Sequence, residues 1–468
     1  MKYLLFTIFN AFFFTIALQA QDYNIINYGA VKNDTVQLST TAINKAIDAC
    51  YTAGGGRVLI PSGMYKSGTI ILKDNVEIFL SAGAVLFASK NYKDFPRNGL
   101  IYAENASHIS VSGKGSLDGL GEGRTGAERP TNILFKSCKN ISVDGITMHN
   151  SGGWNQHYFD CEDVTVNNIH VYNHSNKNND GIDINGCRRF VLSNSIIDSD
   201  DDGIVLKSTG NAGCEDISIN NCVVSSYTNA IKCGTESIGG FKNITISNCL
   251  IKPTRSTVPS KFNLPRLGIA GISLEIVDGG IMEGVNVSNI VIEETQCPIY
   301  IRLGNRGHKL NRDSPAPPYG QMKNIQMNNI TAYNTGNFSS SITGVPGAKI
   351  ENISLSNIRI VNNGGMKQGE YIADYSKVKE DEKGYPQPTT WANLPSYGFF
   401  IRHVKNIVLS NIMLGSVEPD ERVPVIGVDI NYLFVKNLIL DTPGKGSAFL
   451  LKDVKQYEIN RGIVQLLK

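Results

Sequence analysis

One phrase, apolar-x-apolar-x-Asn-apolar, recurs along this 468-residue chain. It reads VTVNNI, VLSNSI, ISINNC, ITISNC, VNVSNI, IQMNNI, ISLSNI and IVLSNI, with its asparagine at positions 168, 194, 221, 248, 289, 329, 357 and 411. The first intervals are 26, 27 and 27 residues, a length that suits one coil of a stacked solenoid. Alternating apolar residues mark short strands with one face turned to a core. Asparagine tolerates left-handed backbone and bonds its own equivalent one coil away, so it fits a corner repeated at fixed phase. Longer intervals of 41, 40 and 54 residues imply insertions into single coils.

A second column aligns the same way. DGIDI, DGIVL, NAIKC, AGISL and PIYIR begin at residues 180, 202, 229, 270 and 298. This predicts an inward ladder of Ile182, Ile204, Ile231, Ile272 and Ile299, with Asp183, Val205, Lys232, Ser273 and Tyr300 facing out. A leucine-rich horseshoe is excluded by its missing leucine pattern and helical returns. The expected fold is all-β, a single-stranded right-handed parallel β-helix occupying residues 21–468 as one domain. Residues 40–51 place Ala42, Ile43, Ala46, Ile47 and Cys50 at helical spacing, after Ser39 or Thr40 as N-cap and before Gly54, Gly55 and Gly56. Such a helix caps the open edge of the first coil. Strands are expected over residues 57–60, 69–72 and 76–80.

The formal net charge of +2, with no basic stripe, argues against nucleic-acid binding. Residues 1–20 read as a signal peptide: Lys2, an apolar run over 4–18, and Ala20 at the cleavage point. The mature chain is expected to be exported, periplasmic or secreted, free of the membrane and monomeric. Its nine cysteines lack Cys-x-x-Cys or His-rich spacing, so buried thiols are expected and no metal or cofactor. Cys222 and Cys249, at one phase of consecutive repeats, predict a stacked interior column. The Asn-x-Ser/Thr matches at Asn140, Asn243 and Asn352 read as a by-product of the repeat.

The chemistry gathers at two copies of Asp-Gly-Ile, 22 residues apart. Stacked strands lie about 4.8 Å apart, so Asp180 and Asp202 come one above the other, with Asp201 beside them. Crowded carboxylates resist joint ionisation, which keeps one protonated. Hydrolysis of a sugar linkage with inversion uses such a pair, a proton donor and a water-activating carboxylate about 6.5–9.5 Å apart. Asp-Gly is also a common turn dipeptide. That explains one copy but not Asp200, Asp201 and Asp202 set one coil from Asp180. Asp183 reads equally as a further catalytic carboxylate or a structural one.

Asn178 to Asp183 (NNDGID) and Asp201 to Ser208 (DDGIVLKS) resemble glycoside hydrolase family 28, the polygalacturonases and their relatives. Tyr28-Gly29-Ala30-Val31, the triplet at Gly54 to Gly56, Pro61-Ser62-Gly63 and Ser116-Leu117-Asp118-Gly119 are similar to that family as well. The resemblance implies a right-handed β-helix of the pectin-lyase-like type and metal-free hydrolysis with inversion. It implies Asp201 as general acid, with Asp180 and Asp202 positioning and activating water. Two stretches depart from the family: Lys232-Cys233-Gly234-Thr235-Glu236 stands where Gly-His-Gly is usual, and Ser273-Leu274-Glu275 where Arg-Ile-Lys is. Replacement substrate-binding groups are expected among His157, Lys207, Lys232, Glu236, Arg302 and Arg306, with Arg302 or Arg306 clamping a uronate carboxylate.

The implied activity is cleavage of α-galacturonosidic linkages in a pectic polysaccharide, homogalacturonan or rhamnogalacturonan. Insertions at 252–267, 304–321 and 365–396 all leave coils after Asp202 and are expected to wall one end of the groove, favouring exo action. An endo-acting polygalacturonase or rhamnogalacturonan hydrolase is the alternative. Aromatics such as Trp391 in the last insertion are expected to serve that wall by stacking on sugars. A polysaccharide lyase would need calcium-binding carboxylates and a base; a sugar-binding adhesin is supported by fold alone.

Overall fold

The computed structural model describes residues 22–391, 393–441, 447–460 and 464–466. The expected signal segment, 1–20, lies outside them. Among the described residues no helix is long and apolar enough to cross a membrane.

Each early coil is three short strands. Gln156–Phe159, Glu162–Asn167 and His170–Asn173 are followed by Ile182–Asn185, Arg188–Ser193 and Ile196–Ser199, each strand pairing in parallel with its equivalent one coil on. Further along, the second and third strands run together, as in Phe241–Lys252, Ile281–Glu293 and Gln321–Thr335. The result is a right-handed parallel β-helix.

The corner asparagines behave as their phase predicted. Asn168, Asn194, Asn221, Asn248, Asn289, Asn329, Asn357 and Asn411 all hold φ between 52° and 56°. Their side chains form a ladder along the outside: Asn289 donates to Asn248 at 3.0 Å, Asn329 to Asn289 at 2.8 Å and Asn411 to Asn357 at 2.9 Å. The inward isoleucine ladder is also present, with Ile182, Ile204, Ile231, Ile272 and Ile299 in register and fully buried. Burial of each such side chain contributes about 1.5–3 kcal/mol. The helix Thr40–Thr52 turns Ala42, Ile43, Ala46, Ile47 and Cys50 to the first coil, and left-handed Gly54 and Gly55 end it. Ser39 sits at the N-cap position, but its side chain makes no capping bond.

All nine cysteines are buried free thiols. Cys222 and Cys249 stack as expected, since their neighbours Val223 and Leu250 are in register. Cys138, Cys161, Cys187 and Cys214 form a second column by the same register.

The outward positions differ from their simplest reading. Asp183, Val205, Lys232, Ser273 and Tyr300 share one outward ladder, yet every one is buried. Lys207 lies against Asp183, while Tyr385 and Trp391 of the last insertion lie against Lys232 and Tyr300. The insertions divide where one wall was expected. Segment 252–267 folds back over earlier coils, where Lys261 N donates to Asp200 at 3.0 Å and Arg255 N to Asp198 at 3.0 Å. Segments 304–321 and 365–396 meet each other on the later side: Asn305 N donates to the Glu382 carbonyl and Tyr319 Oη to its carboxylate. Trp391 is an anchor beneath this wall, its indole donating to the Lys379 carbonyl and its face under Arg302. It is too buried to stack on a sugar. Tyr385, about half exposed, is the aromatic that reaches the groove.

Candidate functional site

Asp180 and Asp202 stand one coil apart. Gly181 N donates to the Asp202 carbonyl at 2.9 Å and Ile182 pairs with Ile204. The glycine after each aspartate is required by this stacking. A Cβ on Gly181 would lie 2.5 Å from the Gly203 carbonyl oxygen, and one on Gly203 2.5 Å from that of Ala230. Asp-Gly therefore records close approach of coils here, not a left-handed turn.

The two adjacent acids share a partner. Thr228 Oγ1 lies 3.1 Å from Asp201 Oδ1 and 2.8 Å from Asp202 Oδ1. Asp202 also receives Asn229 Nδ2 at 2.7 Å and lies 3.2 Å from Lys232 Nζ. Asp201 receives Asp202 N at 2.9 Å and Asn178 Nδ2 at 3.4 Å. Their acidities separate accordingly. Burial, then the Asp202 charge, pushes Asp201 up to about 6. Burial pushes Asp202 up too, but Lys232, Lys207, Asn229 and Thr228 outweigh it and hold that carboxyl below the usual range.

Two buried lysines balance the remaining acids. Lys207 Nζ lies 3.9 Å from Asp180, 3.7 Å from Asp183 and 3.6 Å from Glu236, and stands over the Trp154 ring at 5.1 Å. Burial alone lowers an ammonium pKa, but these carboxylates keep Lys207 charged. Lys232 spans Asp202 and Glu275, which is 3.9 Å away, and donates to Tyr385 Oη at 3.3 Å. Burial raises Glu275 to about 7. Burial and the neighbouring Asp183 raise Asp180; burial likewise raises Asp183, against the pull of Lys207.

The structure brings together Asp180, Asp201, Asp202, Lys207, Lys232 and Glu236, all singled out in the sequence. His157 is one ladder step before Asp183, 3.4 Å from Asn185 and edge-on to Trp154. Burial and Lys207 lower it to about 3, so its ring is neutral. The arginines depart from expectation. Arg302, 2% exposed, donates to the carbonyls of Gly344, Glu380 and Asp381, which leaves no guanidinium face for a ligand. Arg306 is paired with Asp278 at 3.0 and 2.5 Å and with Glu236 at 3.7 Å. Trp154, Thr228, Asn229, Glu275 and Tyr385 escaped the sequence reading. Glu275 was within reach, since extending the strand register one step from Gly234 arrives at it. Among the described residues, no three His, Cys, Asp or Glu side chains are placed to hold a metal ion.

Residues 50–379 match the profile of Glycosyl hydrolases family 28. The chain belongs to that family. The chain is 26% identical over 249 residues to an exo-poly-alpha-D-galacturonosidase of Dickeya chrysanthemi, covering 39% of this chain and 41% of that protein. The match thus spans about two fifths of that relative's length. Two solved structures share the fold: an exopolygalacturonase of Thermotoga maritima (TM-score 0.63, 20% identity, 74% of this chain and 88% of that one) and a family 28 exopolygalacturonase of Yersinia enterocolitica (TM-score 0.63, 18% identity, 93% and 78%).

Proposed function

We propose that this chain is an inverting glycosidase that hydrolyses α-galacturonosidic linkages in pectic polysaccharide and acts from a chain end. The observation that carries the reading is the split between neighbours: Asp201 raised to about 6, Asp202 held low, both on Thr228. One is a proton donor and the other an ionised base. Their shared bond to Thr228 Oγ1 holds them closer than the expected gap of about 6.5–9.5 Å, so inversion is carried by membership of the family and not by this separation. In this reading Asp201 protonates the leaving oxygen. Asp202, with Asp180, positions and activates the water, and His157 orders the polar floor beside Asp183. The matched residues, 50–379, are read as part of one catalytic domain, exported and monomeric.

Acting from a chain end is supported by the joined insertions 304–321 and 365–396, which close over the later coils, and by the name of the Dickeya relative. Product analysis on a long pectic substrate tests it. Early release of monosaccharide with slow loss of viscosity is expected. An early ladder of mixed oligomers would show an open groove and endo action instead.

The pH dependence follows from the same pair. The acid must be protonated, so kcat/KM is expected to fall as pH rises through about 6, approaching tenfold per unit. Asp202 and Asp180 must both be ionised to activate the water. The acid limb is therefore set by Asp180, which burial and Asp183 hold above the ordinary carboxylate range, and not by the lowered Asp202. A pH–rate profile flat to pH 8 would remove Asp201 from the acid's role.

A further inference from the structure

Among the described residues, the four cations nearest the later side of the acid pair are already engaged. Lys232 is 1% exposed between Asp202 and Glu275. Lys207 is enclosed by Asp180, Asp183 and Glu236, Arg306 is clasped by Asp278, and Arg302 is turned to backbone carbonyls. Seven carboxyl groups, Asp180, Asp183, Asp201, Asp202, Glu236, Glu275 and Asp278, thus surround Lys207, Lys232 and Arg306. What reaches the surface on the later side of the acid pair is a carboxylate. The Glu236 side chain is 35% exposed, against 8% for Lys207 and 9% for Arg306 beneath it. Burial pushes Glu236 up, but Lys207 and Arg306 outweigh it and keep it ionised.

An ionised carboxylate only accepts hydrogen bonds. Hydroxyls of a sugar satisfy it. A uronate carboxylate in the same place brings another acceptor and a second negative charge, with Lys207, Lys232 and Arg306 already paired to other carboxylates. We propose that Glu236 selects an uncharged sugar for the subsite beside Lys207 and Lys232, by accepting its hydroxyls and repelling a uronate. The chain is then suited to linkages with galacturonate on one side and a neutral sugar on the other. This rests on the glycosidase reading above.

Three probes of equal length separate the cases: an unesterified oligogalacturonate, its methyl ester, and an alternating rhamnose–galacturonate oligosaccharide. The wild-type protein is expected to turn over the alternating probe with a kcat/KM about 100-fold above the unesterified one, with the ester in between. Glu236→Gln keeps the hydroxyl acceptor and removes the charge. It is expected to narrow that ratio about tenfold, mainly by lowering KM for the unesterified probe. Calorimetric binding of the probes to Asp201→Asn, with and without Glu236→Gln, reads the preference without turnover. Equal or tighter binding of the unesterified probe, no binding of any probe, or a preference unchanged by Glu236→Gln, overturns the proposal. The absence of wild-type turnover alongside a Glu236-dependent binding preference overturns the glycosidase reading and leaves this one standing.

Discussion

Replacing Asp201 by asparagine is expected to lower kcat by about 10²–10⁴-fold while KM stays within a few-fold of wild type. Asparagine is nearly isosteric and its Oδ1 still accepts from Thr228 Oγ1 and from the backbone N–H of Asp202, so the loop keeps its shape. It carries no transferable proton. The loss therefore falls on the step that protonates the leaving oxygen and spares ground-state binding. Stability supplies a second readout. Asp201 has a folded pKa raised to about 6, so its ionised form is disfavoured in the folded state. The resulting cost is complete above about pH 6 and vanishes below the unfolded pKa. Asp201→Asn should therefore melt at the same temperature as wild type or higher at pH 7, and at the same temperature at pH 3. Activity within tenfold of wild type would remove Asp201 as the acid.

Lys207→Met is expected to be the most damaging change outside the acid pair. The ammonium is the shared partner of Asp180, Asp183 and Glu236, and two of those are almost wholly buried. Methionine fills the space under Trp154 but leaves those carboxylates without a counter-charge. Breaking a buried pair from one side typically costs about 3–5 kcal/mol. The penalty should appear as an earlier urea midpoint at pH 7. It should shrink as the pH is lowered, because Asp180 and Asp183, raised above the ordinary carboxylate range, take up protons in place of the lost lysine. Turnover should also fall by about 100-fold, because Asp180 would hold its proton more firmly and lose its use in activating water. A variant with the wild-type urea midpoint at pH 7 would show that Lys207 is not the hub of this cluster.

The sequence alone determined the coil. Period, corner and inward face are properties of each repeat by itself: alternation sets which residues point in, and asparagine sets where the backbone can turn left-handed. The same stacking rule placed Asp180 on Asp202, and so the core of the site was legible from two short copies of one motif. Strand register also carried Lys207 and Lys232 to their places, whereas Glu236 sits where the register shifts between Cys233 and Ser237. What the sequence left open belongs to the insertions, which obey no repeat. Nothing local says that segment 252–267 folds back toward Asp198 and Asp200 while 304–321 and 365–396 close on each other. That division turned Trp391 from a sugar platform into a buried anchor and brought Tyr385 across 153 residues of sequence onto Lys232. It also settled the arginines. A guanidinium outside a strand end reads in sequence as free, but Arg302 is consumed by carbonyls of the incoming wall and Arg306 by Asp278. Whether a charge is available to a ligand depends on every neighbour within hydrogen-bond reach, and those neighbours are chosen by the packing of distant segments.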